Sequence, residues 1–227
     1  MAIPTLNNLN EFNNIINDNK IHGIAFDMDL TLVNYHSGGA LPIDKLSLYI
    51  QSLSPVCIKL IPYLLEKKIN VSIVTFSDDL YTENKQNTHI SGIKLVKLVL
   101  STFLSESQIN SIIIITFNPL LYSSDTTDIG KSMKNYFLQK ISKLCDNTLC
   151  KTYPPMLYKD HHLTILSKLW NLKFNQILLI DDDIKNTKSA NELGCPTILV
   201  IDKKGLQYTD LKNINHNFDD NRLLLEI

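Results

Sequence analysis

Short runs of β-branched and apolar residues alternate with longer segments of helical periodicity along most of this chain. Five runs are rich in Ile and Val and have apolar residues at consecutive positions: residues 21–26, 70–75, 111–117, 176–180 and 197–201. Strands that are buried on both faces have this composition, and they are typical of parallel sheets. The alternation therefore predicts an α/β fold built on an open parallel sheet of about five strands.

The segments between these runs contain signals for helices. Ser54 is a candidate N-cap, and Pro55 after it suits the first position of a helix. Further helices are predicted on the apolar stripe Ile93, Val96, Leu100 and Leu104, after Asp128, over residues 161–172, and over residues 185–193 before Gly194. Helices on both faces of a parallel sheet give a Rossmann-like fold, in which ligands bind at the carboxyl ends of the strands.

Length and composition favour one globular domain. The chain has 227 residues, of which 44% are hydrophobic and 20% charged, enough to bury a core. No repeat and no linker rich in Gly, Ser or Pro divides it, so we predict a single domain over residues 1–227 with its main motifs in residues 22–201. Residues 1–20 would be a helical or irregular extension and residues 205–227 a C-terminal extension. Residues 223–225 would pack on the core or mediate dimerisation, so we expect a monomer or homodimer.

Net charge and cysteine content indicate which partners and which cellular compartment to expect for this protein. The formal net charge of −1 gives no support for binding nucleic acid or an anionic membrane. The four cysteines are dispersed without a CxxC pair, as is usual for reduced cytosolic thiols. Because the chain has no basic segment followed by an apolar one at its start and no run of about 18 apolar residues, we expect a cytoplasmic protein.

Acidic residues follow the first and fourth predicted strands. Asp27 and Asp29 come directly after the first strand, and Asp181, Asp182 and Asp183 come after the fourth. Helix capping explains only one acid of the triplet, because a helix has one N-cap and Asp183 suits it. Buried carboxylates that face one another need a cation or a proton between them. Their all-oxygen chemistry indicates magnesium as the cofactor.

Two further residues stand near the same sheet edge. Thr75 ends the second predicted strand, where its hydroxyl can donate to an anion held between the acidic ends. Lys159 precedes the helix that leads into the fourth strand. A lysine is unfavourable at a helix start because of the helix dipole, so its position indicates an anionic partner such as phosphate. Alone, each is also compatible with an ordinary structural or solvated residue.

Four segments, in this order, resemble the motifs of the haloacid dehalogenase superfamily of phosphohydrolases. They are FDMDLTLV at residues 26–33, VSIVT at 71–75, Lys159, and LLIDDDIKN at 178–186. The later SANELGCPTILV at 189–200 resembles the family's usual connection from a helix to the last strand. The resemblance spans residues 22 to about 201. It implies a phosphatase that hydrolyses phosphate monoesters with the help of magnesium.

The resemblance also implies roles for single residues. Asp27 would be the nucleophile that forms an aspartyl-phosphate. Asp29 would protonate the leaving oxygen and then activate water. Thr75 and Lys159 would hold the phosphoryl oxygens, and Lys159 would also neutralise charge during catalysis.

The implied metal ligands are Asp27, Asp29 through its backbone carbonyl, Asp181 and Asp182. Asp182 would bind magnesium directly, and Asp181 with Asn186 would be adjacent or linked through water. The pair Asp182 and Asp183 would also fit the motif. We favour Asp181 and Asp182, since that choice leaves Asp183 free to cap the following helix.

The sequence departs from the family pattern at several points. The usual Lys-Pro is Lys159-Asp160 here, followed by His161 and His162, which we expect on the helix surface rather than in the site. Gly38 and Gly39 after His36 would form a hinge or a simple turn. Other lysines compete with Lys159 for its role: Lys131, Lys134, Lys140, Lys143 and Lys151.

Neither of the two places where this family inserts a specificity (cap) domain has room for a full one. About twenty residues are available at 35–54, and about forty at 118–158, of which a core helix takes half. We therefore expect a member without a cap, whose open site serves a bulky or macromolecular phosphorylated substrate or is covered by a second subunit.

Two other functions stay open for such a pocket. A non-catalytic relative would bind a phosphorylated partner, although the presence of both Asp27 and Asp29 speaks against it. A phosphotransferase or mutase would pass the phosphoryl group to an acceptor other than water, but mutases need a site closed to water. A response-regulator receiver domain has a similar acidic pocket but is about half as long, and we exclude it.

Overall fold

A computed structural model of the protein describes residues 5–77, 82, 87–116, 158–202 and 204–216. Its main sheet has five strands: β1 (Gly23–Phe26), β3 (Asn70–Val74), β5 (Ile113–Ile115), β6 (Ile177–Asp181) and β7 (Thr197–Leu199). Their order is β5-β3-β1-β6-β7, and every neighbouring pair is parallel. This confirms the predicted α/β fold with a Rossmann-like open sheet.

Seven α-helices surround the sheet within the described residues. They are α1 (Leu6–Asp18), α2 (Leu46–Gln51), α3 (Pro55–Glu66), α4 (Gly92–Leu100), α5 (Glu106–Ser111), α6 (Asp160–Trp170) and α7 (Ile184–Glu192). Ser54 caps α3 by accepting from the Cys57 backbone N–H. Asp183 caps α7 by accepting from Lys185 N–H, and Gly194, at a φ of +90°, follows the end of α7. These capping predictions are confirmed.

Alternate residues of the strands enter two separate hydrophobic clusters, one on each face of the sheet. Ile24 and Phe26 of β1 pack in the larger cluster with α1, α3 and α4, whereas Ala25 packs in the smaller cluster with α6 and α7. Both faces of the sheet are therefore covered, which explains why the strands read as continuous apolar runs.

The predicted stripe from Ile93 to Leu104 is wrong in part. Helix α4 ends at Leu100, and Leu104 is buried beyond it. Ile93 is 43% exposed, because the buried face of α4 is formed by Leu95, Val96, Val99 and Leu100. The chain then begins a separate helix, α5, whose N-cap Ser105 accepts from Gln108 N–H.

Both extensions contribute to the core. Leu9, Phe12 and Ile16 of α1 are buried in the larger cluster, and so are Leu206 and Leu211 of the C-terminal segment. A bridge between Thr197 and Asn215 also attaches this segment to β7. The helix predicted after Asp128 and the apolar residues 223–225 lie outside the described residues.

Two of the four cysteines are described. Cys57 and Cys195 are buried free thiols, and burial raises the pKa of each to about 12. Cys145 and Cys150 lie outside the described residues. No helix in the described parts of the chain is long and apolar enough to cross a membrane.

A small structure follows β1 and lies next to the carboxyl ends of the strands. It contains β2 (Leu41–Pro42), which pairs antiparallel with β4 (His89–Ile90), and the short helix α2. We call residues 36–39 the flap loop; Gly38 and Gly39 in it have φ angles of +68° and +87°. The second insertion point lies almost entirely outside the described residues, so the absence of a cap stays a prediction.

Candidate active site

The connections between strands create a crevice at one end of the sheet. From central β1 the chain continues to β3 and β5 on one side, and only later adds β6 and β7 on the other. In open parallel sheets such a switch point is where ligands bind. A cleft of about 310 Å³ lies there. Its lining includes Asp27, Asp29, Thr75, Asp181, Asp182, Asp183 and Asn186, with His36, Gly38, Gly39, Leu30, Phe76 and Ser77.

A buried ion pair joins Asp27 to Lys159. Lys159 Nζ donates to Asp27 Oδ1 at 2.7 Å and to the Val74 carbonyl oxygen at 2.7 Å. The same ammonium lies 4.1 Å from the centroid of the Phe76 ring. Lys159 is completely buried and Asp27 is 8% exposed. These contacts fix the orientation of the lysine, whose ammonium group lies against the Asp27 carboxylate in a site from which water is excluded.

Asp181 and Asp182 lie beside Asp27. Each of the three residues offers one carboxylate oxygen, and these three oxygens lie within 4.8 Å of one another. Burial raises the pKa of Asp27, against the opposing effect of the Lys159 ammonium. Burial, and then the Asp27 charge, raise the pKa of Asp181 well above its ordinary value. One ammonium does not balance three carboxylates, so the cluster needs a further cation or a proton between its oxygens.

The surroundings of Asp181 fit a hard divalent cation. Asp181 Oδ1 accepts from Asp183 N–H at 2.8 Å, and Asn186 Nδ2 donates to both Asp181 oxygens at 3.0 and 3.1 Å. Asn186 Oδ1 is buried, and no residue that the structure describes donates to it. Carboxylate and amide oxygens are the donors that magnesium prefers, directly or through its water molecules. The residues present therefore fit a divalent cation, which Asp27, Asp181 and Asp182 would hold.

The structure brings Asp181 and Asp182, rather than Asp183, next to Asp27. Asp183 accepts from Lys185 N–H at 2.8 Å as the cap of α7. Which pair of these acids binds a metal stays a prediction. The side chain of Asp29 is not part of this carboxylate cluster, and the metal role of its backbone carbonyl stays a prediction.

Asp29 lies on the flap side of the cleft. Met28, between the two acids, is completely buried in the core. Asp27 and Asp29, on either side of it in the sequence, both line the cleft. The Oδ2 atom of Asp29 accepts from Ser37 N–H and from Ser37 Oγ, both at 2.7 Å. The hydroxyl of Tyr49 donates to Asp29 Oδ1. Burial, and then the Asp29 charge, raise the pKa of Tyr49 well above its ordinary value, so the phenol is a donor at neutral pH.

Thr75 lines the cleft with the acids, as its position at a strand end predicted. It is 4% exposed, and its Oγ1 accepts from Ser77 N–H at 3.4 Å. Ser77 was not predicted as a site residue. Its Oγ donates to the Gly39 carbonyl oxygen at 2.9 Å and accepts from Gly92 N–H at 3.1 Å. Ser77 therefore attaches the flap loop to the end of β3.

The prediction of a surface position is wrong for His162. This residue is completely buried, and its ring centroid is 5.4 Å from that of Phe76. It lies on the face of α6 that packs against the sheet with Leu163 and Leu166. His161 is partly buried, and burial lowers its pKa. Neither histidine is among the described residues that line the cleft.

Sequence reasoning also missed Ser37 and Tyr49. A hydroxyl near an acid would have been a weak signal for Ser37, and nothing in the sequence connects Tyr49 to Asp29. The five competing lysines, Lys131, Lys134, Lys140, Lys143 and Lys151, lie outside the described residues.

Comparison of the chain with models of known protein families gives no match, and comparison with curated proteins gives no significant match.

Proposed function

We propose that this protein is a magnesium-dependent phosphatase of the haloacid dehalogenase type, located in the cytoplasm, that hydrolyses phosphate monoesters. The observation that carries the proposal is the Asp27 carboxylate, which is paired with buried Lys159 and lies within 4.8 Å of Asp181 and Asp182. A buried acid that touches both an ammonium and a cluster fit for a cation suits nucleophilic attack on a phosphate ester.

Charge is the main obstacle to this reaction. A phosphate monoester is an anion, and Asp27, Asp181 and Asp182 would repel it from the cleft. Lys159 offsets part of this repulsion at Asp27, and the Thr75 hydroxyl is available to donate to a phosphoryl oxygen. Asp27, Asp181 and Asp182 would hold a magnesium ion, which would supply further positive charge against this repulsion.

The residues then account for two displacement steps. An Asp27 oxygen attacks phosphorus, the bond between phosphorus and the ester oxygen breaks, and Asp29 donates its proton to that oxygen. In the second step Asp29 accepts a proton from water, the hydroxide attacks phosphorus, and the bond to Asp27 breaks to release phosphate. Asp29 lines the same cleft as Asp27, as this exchange of protons requires.

The first test is hydrolysis of p-nitrophenyl phosphate with magnesium and with EDTA. We expect turnover by the wild type that EDTA abolishes and that Asp27→Asn reduces about 10⁴-fold or more, as loss of a nucleophile does. Asp202→Asn is the matched control, because this acid is exposed and is not among the described residues that line the cleft. It should keep wild-type activity. Equal activity of Asp27→Asn and the wild type would overturn the proposal.

A second measurement covers a wild type that rejects this small ester. Beryllium fluoride with magnesium should form an adduct with the wild type, detected by fluorine NMR, and not with Asp27→Asn. An adduct indicates a selective phosphatase, to be tested next on phosphoproteins and other bulky phosphoesters. No adduct would favour a non-catalytic phosphate-binding protein. Phosphoryl transfer to added glycerol in preference to water would favour a phosphotransferase.

A further inference from the structure

We propose that Tyr49 is a positioning residue, which holds the Asp29 carboxyl group in the orientation needed to protonate the leaving group. The inference rests on the proposed phosphatase function and deepens it. Tyr49 donates its hydroxyl hydrogen to Asp29 Oδ1 and is completely buried. It is not among the described residues that line the cleft, so it acts through Asp29 rather than on the substrate.

The Asp29 carboxyl group is held at both oxygens. Tyr49 donates to Oδ1, and the N–H and Oγ of Ser37 donate to Oδ2 at 2.7 Å each. Tyr49 comes from helix α2 and Ser37 from the flap loop, two parts of the chain that meet at this acid. A carboxyl group with donors on both oxygens cannot rotate without losing hydrogen bonds, so its orientation is defined before substrate binds.

The Tyr49 ring is itself fixed by packing. It forms an edge-to-face contact with Tyr35, with ring centroids 5.6 Å apart and an interplanar angle of 77°. The ring is also part of the main hydrophobic cluster. Because the phenol has few ways to move, its hydroxyl defines where Asp29 Oδ1 lies.

The same donors matter for the proton transfer because of geometry. Tyr49 and Ser37 hold both oxygens of Asp29 in place, so the leaving oxygen meets the carboxyl group in one orientation. Loss of one donor should therefore matter most when the leaving group depends on protonation.

Two esters of similar shape but different leaving groups separate this role from a structural one. Phenyl phosphate releases a more basic oxygen than p-nitrophenyl phosphate and needs the general acid more. We expect Tyr49→Phe to lower kcat/KM for phenyl phosphate about 10- to 100-fold, less than the about 10²- to 10⁴-fold that a general acid itself contributes, and to lower it for p-nitrophenyl phosphate only a few-fold. Asp29→Asn sets the upper limit of this difference.

Tyr63→Phe is the matched control. Its hydroxyl also donates to a side-chain oxygen, Asn10 Oδ1 at 2.8 Å, and neither residue is among the described residues that line the cleft. It should leave the ratio of the two kcat/KM values unchanged. Ser37→Ala is a second variant, which removes a different donor to Asp29. It should shift the ratio in the same direction as Tyr49→Phe, and it tests the inference if Tyr49→Phe folds poorly.

The outcomes distinguish the inference from the function beneath it. An active wild type whose Tyr49→Phe and Ser37→Ala variants lose equal activity on both esters overturns the positioning role and leaves the phosphatase intact. Unchanged activity on both esters overturns it as well. A wild type that hydrolyses neither ester and forms no beryllium fluoride adduct overturns the proposed function, and the inference with it.

Discussion

Two carboxylate–ammonium pairs in this protein have the same chemistry in different surroundings. Asp27 and Lys159 are 2.7 Å apart, with side chains 11% and 0% exposed. Glu11 and Lys212 are 3.2 Å apart, with side chains 50% and 49% exposed. The first pair lies at the carboxyl end of the sheet, and the second joins α1 to the C-terminal segment.

The difference shows why only one of the pairs indicates function. Removing two charges from water is costly, and apolar residues of similar size in their place are often at least as stabilising. The buried pair therefore adds little to the free energy of unfolding, but it holds a reactive carboxylate next to a fixed positive charge. The exposed pair keeps its water, and salt screens it, so it serves as a minor contact between two segments.

The largest effect is expected from Lys159→Met. It leaves the Asp27 carboxylate buried without its ammonium and beside Asp181, so the free energy of unfolding should fall by about 3–5 kcal/mol. Denaturant unfolding without magnesium measures this value. Adding Asp27→Asn should recover much of the loss, since residue 27 then carries no charge that lacks its ammonium. A loss below about 1 kcal/mol would contradict our account of the buried pair.

A smaller effect is expected from magnesium, which should stabilise the protein through the buried acids. At a concentration 100 times its Kd, magnesium should raise the free energy of unfolding by about 2.7 kcal/mol. Thermal denaturation with and without the ion measures this gain. Asp181→Asn should lose it, because the ion then lacks a buried ligand, and exposed Asp202→Asn should keep it. An equal gain in both variants would mean that the ion binds elsewhere.

The smallest effect is expected at the exposed pair. Lys212→Met keeps most of the side-chain stem, whose ammonium is 5.1 Å from the Tyr208 ring centroid, and removes only the charge. Because Glu11 is solvated and also accepts from Tyr208, the denaturation midpoint should stay within experimental error at both low and high salt. A shift as large as that of Lys159→Met would remove the distinction between the two pairs.

Much of the site followed from the strand pattern. In a parallel sheet the carboxyl ends of neighbouring strands meet at one edge, so residues that follow β1, β3 and β6 must lie near one another. The strand pattern alone therefore predicts that Asp27, Thr75 and Asp181 lie at one edge of the sheet. The sequence also predicted Asp183 as the N-cap of α7, and the structure confirms this role.

Other features depend on packing that a linear pattern does not contain. His162 and Ile93 lie on helices, and which helix face is buried is decided by the element that packs against it. Tyr49 contacts Asp29 across 20 positions of sequence, through the fold of the chain between β1 and α2. Ser77 holds Gly39 across 38 positions of sequence, a contact that no local spacing predicts.

The order of residues along the chain was sufficient to determine the parallel sheet, its capped helices and the acidic edge, because these depend on periodicity and on chain direction. Tertiary structure decided how each acid is held: Asp27 by a completely buried lysine, Asp181 by Asn186, and Asp29 by donors from the flap loop and α2. Hydrogen bonds act over about 3 Å, so they are settled only when distant segments pack.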